Sequence, residues 1–358
     1  IRLRESQRPI IAIDLPTGLA DDGRCWVDPP VQAQLTLTLF RKKLAHVLAP
    51  GRHYCGEVLV CDLGLDASYL PQPPVFYENG PGLWSLYWQQ TRPQATTHKY
   101  QRGHVLVFGG PQLPGAACLA ALAAARSGAG MVTLLTDKQT WPVYAAQMRA
   151  IMVRCLEPAH GLEPWLADPK NNTWVLGPGA ISVAELSTYI KQLLAAKKPC
   201  VLDAEALSVM ASQWPEFQSE LGPHCVLTPH EGEFWRLFPH LAQDTIQTRL
   251  QRVQQAARES QATIVLKGAE TLIAAPDGRV IINHVASPYL ATAGSGDVLS
   301  GIIATFLAQD VPALIAAAMA VWLHGRAGEI AGVGLMADDL PQALVTAQQM
   351  LDEQLSST

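Results

Sequence analysis

The seven cysteines, spread from Cys25 to Cys225, include no C-x-x-C pair, so neither a disulfide framework nor a zinc site is expected and a reducing cytoplasm is the expected location. Charge is scarce. Only 16% of the 358 residues are charged, and the 26 Lys and Arg, outnumbered by 31 Asp and Glu for a formal net charge of -5, form no run that tracks a phosphate backbone. Nucleic acid is thereby excluded as an expected partner. No apolar run reaches the ~20 residues of a bilayer span, since Val298–Ala308 and Ala313–Leu323 are parted by Gln309-Asp310-Val311-Pro312. A membrane is excluded too, and the chain reads as soluble. Ile1-Arg2-Leu3-Arg4-Glu5 has neither an initiator Met nor an apolar signal segment, so the sequence is expected to begin partway through a longer chain. Internal repeats and low-complexity segments are absent. What is present is a 49% hydrophobic chain with the length of two domains, which rules out disorder.

Short β-branched runs alternate with longer Ala/Leu-rich ones: Ile10–Asp14, Leu35–Leu39, Val58–Asp62, Val105–Gly109, Met131–Leu135, Trp174–Gly177, Cys200–Asp203, Cys225–Thr228 and Ile264–Lys267. Continuous apolar strands between helices predict an α/β fold whose largely parallel sheet is covered on both faces. Ligands of such sheets sit outside the strands' carboxyl ends. The Pro- and Gly-rich stretch from Pro71 to Gly82 breaks the pattern, and Trp84–Gln90 predicts a short helix before Arg92-Pro93. The expected division is a partial domain over 1–70, a linker over 71–94 and a doubly wound domain over 95–358.

The strongest chemical signal is Ala293-Gly294-Ser295-Gly296-Asp297, which opens an apolar helical run. Glycines at a helix start leave backbone N–H groups facing an anion, with the helix dipole behind them. Asp297 then stands beside a bound phosphoryl group as a base for an attacking hydroxyl; the plainer alternative is a residue that only favours the first helical turn. Lys267-Gly268-Ala269-Glu270-Thr271 follows a strand and reads as a phosphate clamp or as a polar hairpin turn, with Glu270 opposing the first. His230, after Thr228-Pro229, faces the crevice or caps a helix. Glu231 and Glu233 look exposed and too few for a metal site. Ala116, in Pro114-Gly115-Ala116-Ala117, stands at a helix start, and Gly177-Pro178-Gly179 exposes backbone at a strand end; close packing alone accounts for most such small residues.

In this order, His98-Lys99, Val107–Gly110, Gly115-Ala116-Ala117, Ser127–Gly130, Gly177-Pro178-Gly179, Leu202-Asp203-Ala204, Thr228-Pro229-His230, Leu266–Thr271 and Gly294–Asp297 resemble the NAD(P)H-hydrate dehydratase family. The resemblance covers residues 95–350 and implies a ribokinase-like doubly wound sheet. It implies hydrate-binding positions at Ala116, Gly179, His230 and Asp297, with Asp297 catalytic, and nucleotide-binding positions at Lys267, Gly268, Ala269, Glu270, Thr271 and Gly296. The implied reaction activates the C6 hydroxyl of the hydrated nicotinamide ring by phosphoryl transfer from ADP or ATP, with Mg2+, and then eliminates phosphate to restore NAD(P)H. A homo-oligomer is expected. Ile11-Ala12-Ile13-Asp14-Leu15-Pro16-Thr17-Gly18 and Cys55-Gly56-Glu57-Val58 resemble the carboxyl-terminal part of the companion NAD(P)H-hydrate epimerase domain, a Rossmann-like α/β fold, which implies a hydrate contact at Asp14 and a potassium ion at Thr17. That domain's Asn- and Gly-rich loop is absent from the chain, so no epimerisation is expected.

Glu270 and Ala293 stand where the family usually has glycine, Tyr100 likewise, and Asn283–Tyr289 lacks its usual Gly-Asn pattern. Two alternatives stay open on residues alone. One is a ribokinase-like small-molecule kinase, which needs the same anion hole and base; the other is a catalytically silent nucleotide-binding protein.

Overall fold

The computed structural model describes residues 8–66, 70, 75–157, 160–180, 183–243 and 248–357. The chain divides into two compact units, Ile1–Glu78 and Asn79–Thr358. In the first, strands β1 (Ile11–Ile13), β2 (Leu35–Leu39) and β3 (Glu57–Cys61) form a parallel sheet in that order. Its interior is partly polar: Thr36 and Thr38 are buried, and Thr36 Oγ1 donates to the Cys55 carbonyl at 2.6 Å. Phe76–Glu78 (β4) ends this unit's span.

The second unit is built on β5 (His104–Phe108), β6 (Met131–Thr136), β7 (Met152–Cys155), β8 (Thr173–Leu176), β9 (Cys200–Leu202), β10 (Cys225–Leu227), β11 (Thr263–Leu266), β12 (Thr271–Ala274) and β13 (Val280–Asn283). Their order across the sheet is β13-β12-β11-β10-β9-β8-β5-β6-β7. Every pairing from β11 to β7 is parallel, while β11-β12-β13 is an antiparallel meander. The sheet is thus mixed rather than parallel throughout. Strands β5, β8, β9, β10 and β11 are buried at every residue, which is why they read as unbroken apolar runs. From β5 the chain runs one way to β6 and β7 and then returns to β8, β9 and β10 on the other side. The crevice of such a sheet opens where the order reverses, beyond the carboxyl ends of β5 and β8.

Two helices pack together against the strands of this sheet. Pro114–Arg126 and Ser295–Ala308 pack tightly because Gly301 has no side chain: a Cβ there would collide with the Ala120 carbonyl oxygen. Helix Ala313–Ala331 lies beside the second, with thirteen buried residues along nineteen, so it too reads as nearly continuous apolar sequence.

The second half of the linker expected over 71–94 is part of the larger unit. Its helix, Pro81–Thr91, buries Trp84 and Trp88, and Trp84 meets Trp322 edge to face at 5.7 Å. Asn79 anchors it. Asn79 Nδ2 donates to Asn283 Oδ1 and to the Ala318 carbonyl, each at 2.8 Å, and Oδ1 accepts from Trp84 Nε1 at 3.0 Å. These groups are buried, so Asn79→Ala leaves a donor and an acceptor unpaired and is expected to cost about 2–4 kcal/mol. A denaturation midpoint equal to the parent's would contradict that role.

Candidate active site

At the carboxyl ends of β9 and β11 lie a buried carboxylate and an ammonium. Asp203 is 1% exposed, and its Oδ1 accepts from Lys267 Nζ at 2.9 Å and from the Ala204 amide at 2.8 Å. Its Oδ2 accepts from Ser300 Oγ at 2.7 Å. Glu233 approaches Lys267 to 4.0 Å. Burial alone would lower the Lys267 pKa, but the Asp203 and Glu233 carboxylates outweigh it and hold the ammonium above its usual value.

The helix that begins at Ser295 delivers Asp297 to this cluster. Gly294, with φ +90°, occupies its N-cap in the left-handed region; a Cβ there would lie 2.7 Å from Leu119 and 2.9 Å from Ala337. A Cβ at Gly296 would lie 3.3 Å from Lys267 Nζ, so the ammonium rests against this backbone. The first amides of a helix have no intrahelical partner. Asp297 stands in the first turn, and burial, then the charge of Asp203, raises its carboxyl to about 7, with Lys267 opposing and Glu233 reinforcing. Three carboxylates share one ammonium, and protonating Asp297 is the least costly way to reduce the excess negative charge. Behind the helix start His324 is buried near the Ser295 backbone, and burial lowers its pKa to about 4, so the imidazole is neutral.

Glycine backbone forms the opposite wall. Gly179 has φ +70°, and its Cβ position collides with the Leu113 carbonyl and lies 3.6 Å from Ala116 Cβ, so Gly179 and the first turn of Pro114–Arg126 are in direct contact. Gly110 is equally close to the Gly179 carbonyl, and Gly177, with φ +120°, abuts the Asp203 carbonyl. The Gly177–Asp203 and Leu119–Gly294 contacts link the Ala116–Gly179 contact to the cluster of Lys267, Gly296 and Asp297.

His230 takes the capping role. Its Nδ1 accepts from the Gly232 and Glu233 amides at 2.9 and 3.3 Å at the start of Glu231–Leu237, and its side chain is 56% exposed with Nε2 3.6 Å from Glu233 Oε1. Glu233, expected to be exposed, is 7% exposed because it completes this cap by accepting from the His230 amide at 2.8 Å. Lys267, Gly268, Ala269 and Glu270 form the turn of the β11–β12 hairpin, and Thr271 opens β12. Arg249 latches that turn: Nη1 donates to the Glu270 carbonyl at 2.8 Å and Nε to Glu231 Oε1 at 2.6 Å. Glu270 is buried, and the carboxylates placed against Lys267 are Asp203 and Glu233. Reading the sequence for sites passed over Asp203, Glu233, Arg249, Ser300 and His324; the signals were Leu202-Asp203-Ala204 at a strand end and a His-x-x-Glu capping pattern.

In the first unit Asp14, at φ +65°, accepts from Thr38 Oγ1 at 3.0 Å, from the Leu39 amide at 3.3 Å and from Lys43 Nζ. Burial alone would raise its carboxyl; those bonds, led by that of Lys43, hold it below the usual value. Thr17 is exposed and its carbonyl accepts from the Val31 amide at 3.0 Å.

Comparison with known proteins places this crevice in context. The family model described as NAD(P)H-hydrate dehydratase matches residues 105–349. The bifunctional NAD(P)H-hydrate repair enzyme of Moorella thermoacetica is 37% identical, the match covering 99% of this chain and 69% of that protein. The enzyme of the same name from Archaeoglobus fulgidus is 34% identical over 96% of this chain and 69% of its own length. Among solved structures, a ribokinase-like superfamily protein of Enterococcus faecalis superposes with a TM-score of 0.65 at 26% identity, covering 79% of this chain and 98% of that one. The ADP/ATP-dependent NAD(P)H-hydrate dehydratase of Bacillus subtilis, co-crystallised with ATP and Mg2+, gives 0.62 at 26% identity, covering 75% and 98%. The match takes in the hairpin that carries Lys267 and the helix that carries Asp297, and the chain belongs to the NAD(P)H-hydrate dehydratase family.

Proposed function

We propose that this chain dehydrates NAD(P)H hydrate at the expense of ADP or ATP, with Asp297 as the general base. The observation that carries the proposal is the carboxyl of Asp297 in the first turn of a glycine-led helix, pushed up to about 7 by burial and the charge of Asp203, in a cluster with a half-buried lysine. Hydroxide is a poor leaving group and phosphate a good one, so the ring hydroxyl must first be converted. Asp297 takes the hydroxyl proton as that oxygen attacks the nucleotide's terminal phosphorus, and the bond to the departing AMP (or ADP) breaks. The C6–O bond then breaks, phosphate leaves with its electron pair, and loss of the C5 proton forms the ring double bond of NAD(P)H.

In this reading the amides at Gly296 and Asp297 receive the transferring phosphoryl group, and the hairpin Lys267–Thr271 holds the nucleotide. Ala116, Gly179 and His230 are the proposed hydrate contacts. A magnesium ion would arrive on the nucleotide phosphates, as the ATP/Mg2+ co-crystal of the Bacillus subtilis dehydratase suggests. Such an ion, when bound, offsets phosphate charge that the carboxylates here would repel. In the first unit Asp14 and Thr17 are the proposed counterparts of a hydrate contact and a potassium contact.

The pH profile tests the base directly. Only ionised Asp297 accepts a proton, so kcat/KM is expected to be level above pH ~7.5 and to fall about tenfold per unit below ~6.5. An ordinary carboxylate, near 4, would give a flat profile from pH 5 to 8, and that result would remove Asp297 from the role.

A further inference from the structure

Asp203 does not face a substrate hydroxyl, yet every side-chain partner it has belongs to the crevice. Its two oxygens join three elements at one end of the sheet: it follows β9, Lys267 follows β11, and Ser300 lies one turn below Gly296 in the Ser295–Ala308 helix. The Ser300 hydroxyl is 2.7 Å from Asp203 Oδ2 and 3.2 Å from the Gly296 carbonyl, so its single proton belongs to the carboxylate. The Ala204 amide fixes Oδ1 from its own strand end, with Ala204 held at φ +49°. The carboxylate is thus oriented by three donors and is 1% exposed. It is too enclosed to take up a ligand and too well paired to be a spare charge.

We infer that Asp203 is a positioning residue of the dehydration, acting through Lys267 and Ser300 to hold the ammonium against Gly296 and to fix the charge that surrounds Asp297. The inference rests on the reading of Asp297 as the base. The geometry explains the glycine at 296: Nζ, tethered by Asp203, occupies the space a side chain would need, 3.3 Å from its Cβ position. It also changes what Lys267 does. A lysine bound to one buried carboxylate and 4.0 Å from a second is charge-compensated, so any hold it has on the nucleotide is set by those two carboxylates. Its work is to lie between Asp203, Glu233 and Asp297, moderating their mutual repulsion, while the neutral His324 lies near the Ser295 backbone without adding charge.

The charged groups facing Asp297 are Asp203, Glu233 and Lys267. Asp203→Asn removes one negative neighbour and releases Lys267 from its strongest partner; both changes favour the ionised form of Asp297. The acid limb of kcat/KM is therefore expected to move about one unit or more towards lower pH, while kcat falls about tenfold and KM for the nucleotide changes little. Ser300→Ala keeps the carboxylate's charge and removes one tether, so it is expected to lower kcat several-fold with the acid limb in place. The experiment measures pH profiles of the parent, Asp203→Asn and Ser300→Ala on the full chain, with thermal unfolding followed separately and Asp297→Asn assayed alongside.

A shifted limb in Asp203→Asn supports the inference. An unshifted limb with kcat within twofold of the parent, or lost thermal stability with an unshifted limb, overturns it and leaves Asp203 with a purely structural role. Should Asp203→Asn not fold, Ser300→Ala decides, and turnover within about 1.5-fold of the parent overturns the tether. These outcomes are separate from failure of the underlying reading, which an active Asp297→Asn or a flat pH profile of the parent overturns.

Discussion

Asp297→Asn is expected to lower dehydration by about 10²–10⁴ while the dissociation constant of ADP stays within a few-fold of the parent. The asymmetry follows from what each atom supplies. Backbone amides at the start of the Ser295–Ala308 helix bind phosphoryl oxygens whatever side chain follows, and Asn is isosteric with Asp and well tolerated at a helix start. What it lacks is a basic oxygen. Asn also removes a carboxyl that burial and Asp203 hold near 7, so stability is expected to be unchanged or slightly higher. Steady-state turnover with nucleotide binding measured by calorimetry checks this, and turnover within a few-fold of the parent would leave Asp297 as a helix residue only.

The second large effect is expected from Gly177→Ala. Gly177 ends β8 at φ +120°, a conformation that L side chains rarely adopt, and its Cβ would collide with the Asp203 carbonyl oxygen on β9. Backbone strain costs roughly 1–3 kcal/mol and overpacking a similar amount. Together, about 2–6 kcal/mol lowers Tm by on the order of 5–20 °C for a unit of this size. Because the obstruction is at Asp203, any folded fraction should also lose turnover through the displaced Lys267. A Tm within ~2 °C of the parent, measured by calorimetry, would mean that this backbone approach is not needed.

Much of this architecture is legible in the sequence, for a physical reason that also sets its limit. A strand buried on both faces must be apolar at every position, so Val105–Gly109 and Trp174–Gly177 stand out and match β5 and β8 to within a residue. Strand β7, Met152–Cys155, sits at the sheet's edge, is largely exposed and carries Arg154, so it gives no such signal. The β11–β12 turn is legible as a hairpin, with Lys267 at its first position. Asp297 is legible because the glycines that shape its helix start are its neighbours in sequence.

Asp203 is different. Lys267 lies 64 residues from it and Ser300 lies 97 away, so a strand-end Asp reads as one more polar residue until the sheet brings the three together. Glu233 misled for a related reason. A carboxylate two residues from another looks solvated, but as the third residue of its helix it folds back onto the His230 amide and is carried inside.

The central claim is that the crevice converts a hydrated nicotinamide by way of a phosphorylated hydroxyl. The most direct measurement incubates the chain with NADH hydrate and ADP, following absorbance of the reduced nicotinamide and the nucleotide and phosphate pools by ³¹P NMR together. The account predicts that NADH, AMP and inorganic phosphate appear in equal amounts, with no phosphoester accumulating. A persistent phosphoester would identify a kinase, and bound ADP with no change in any pool would identify a silent nucleotide-binding protein; either result would contradict the account.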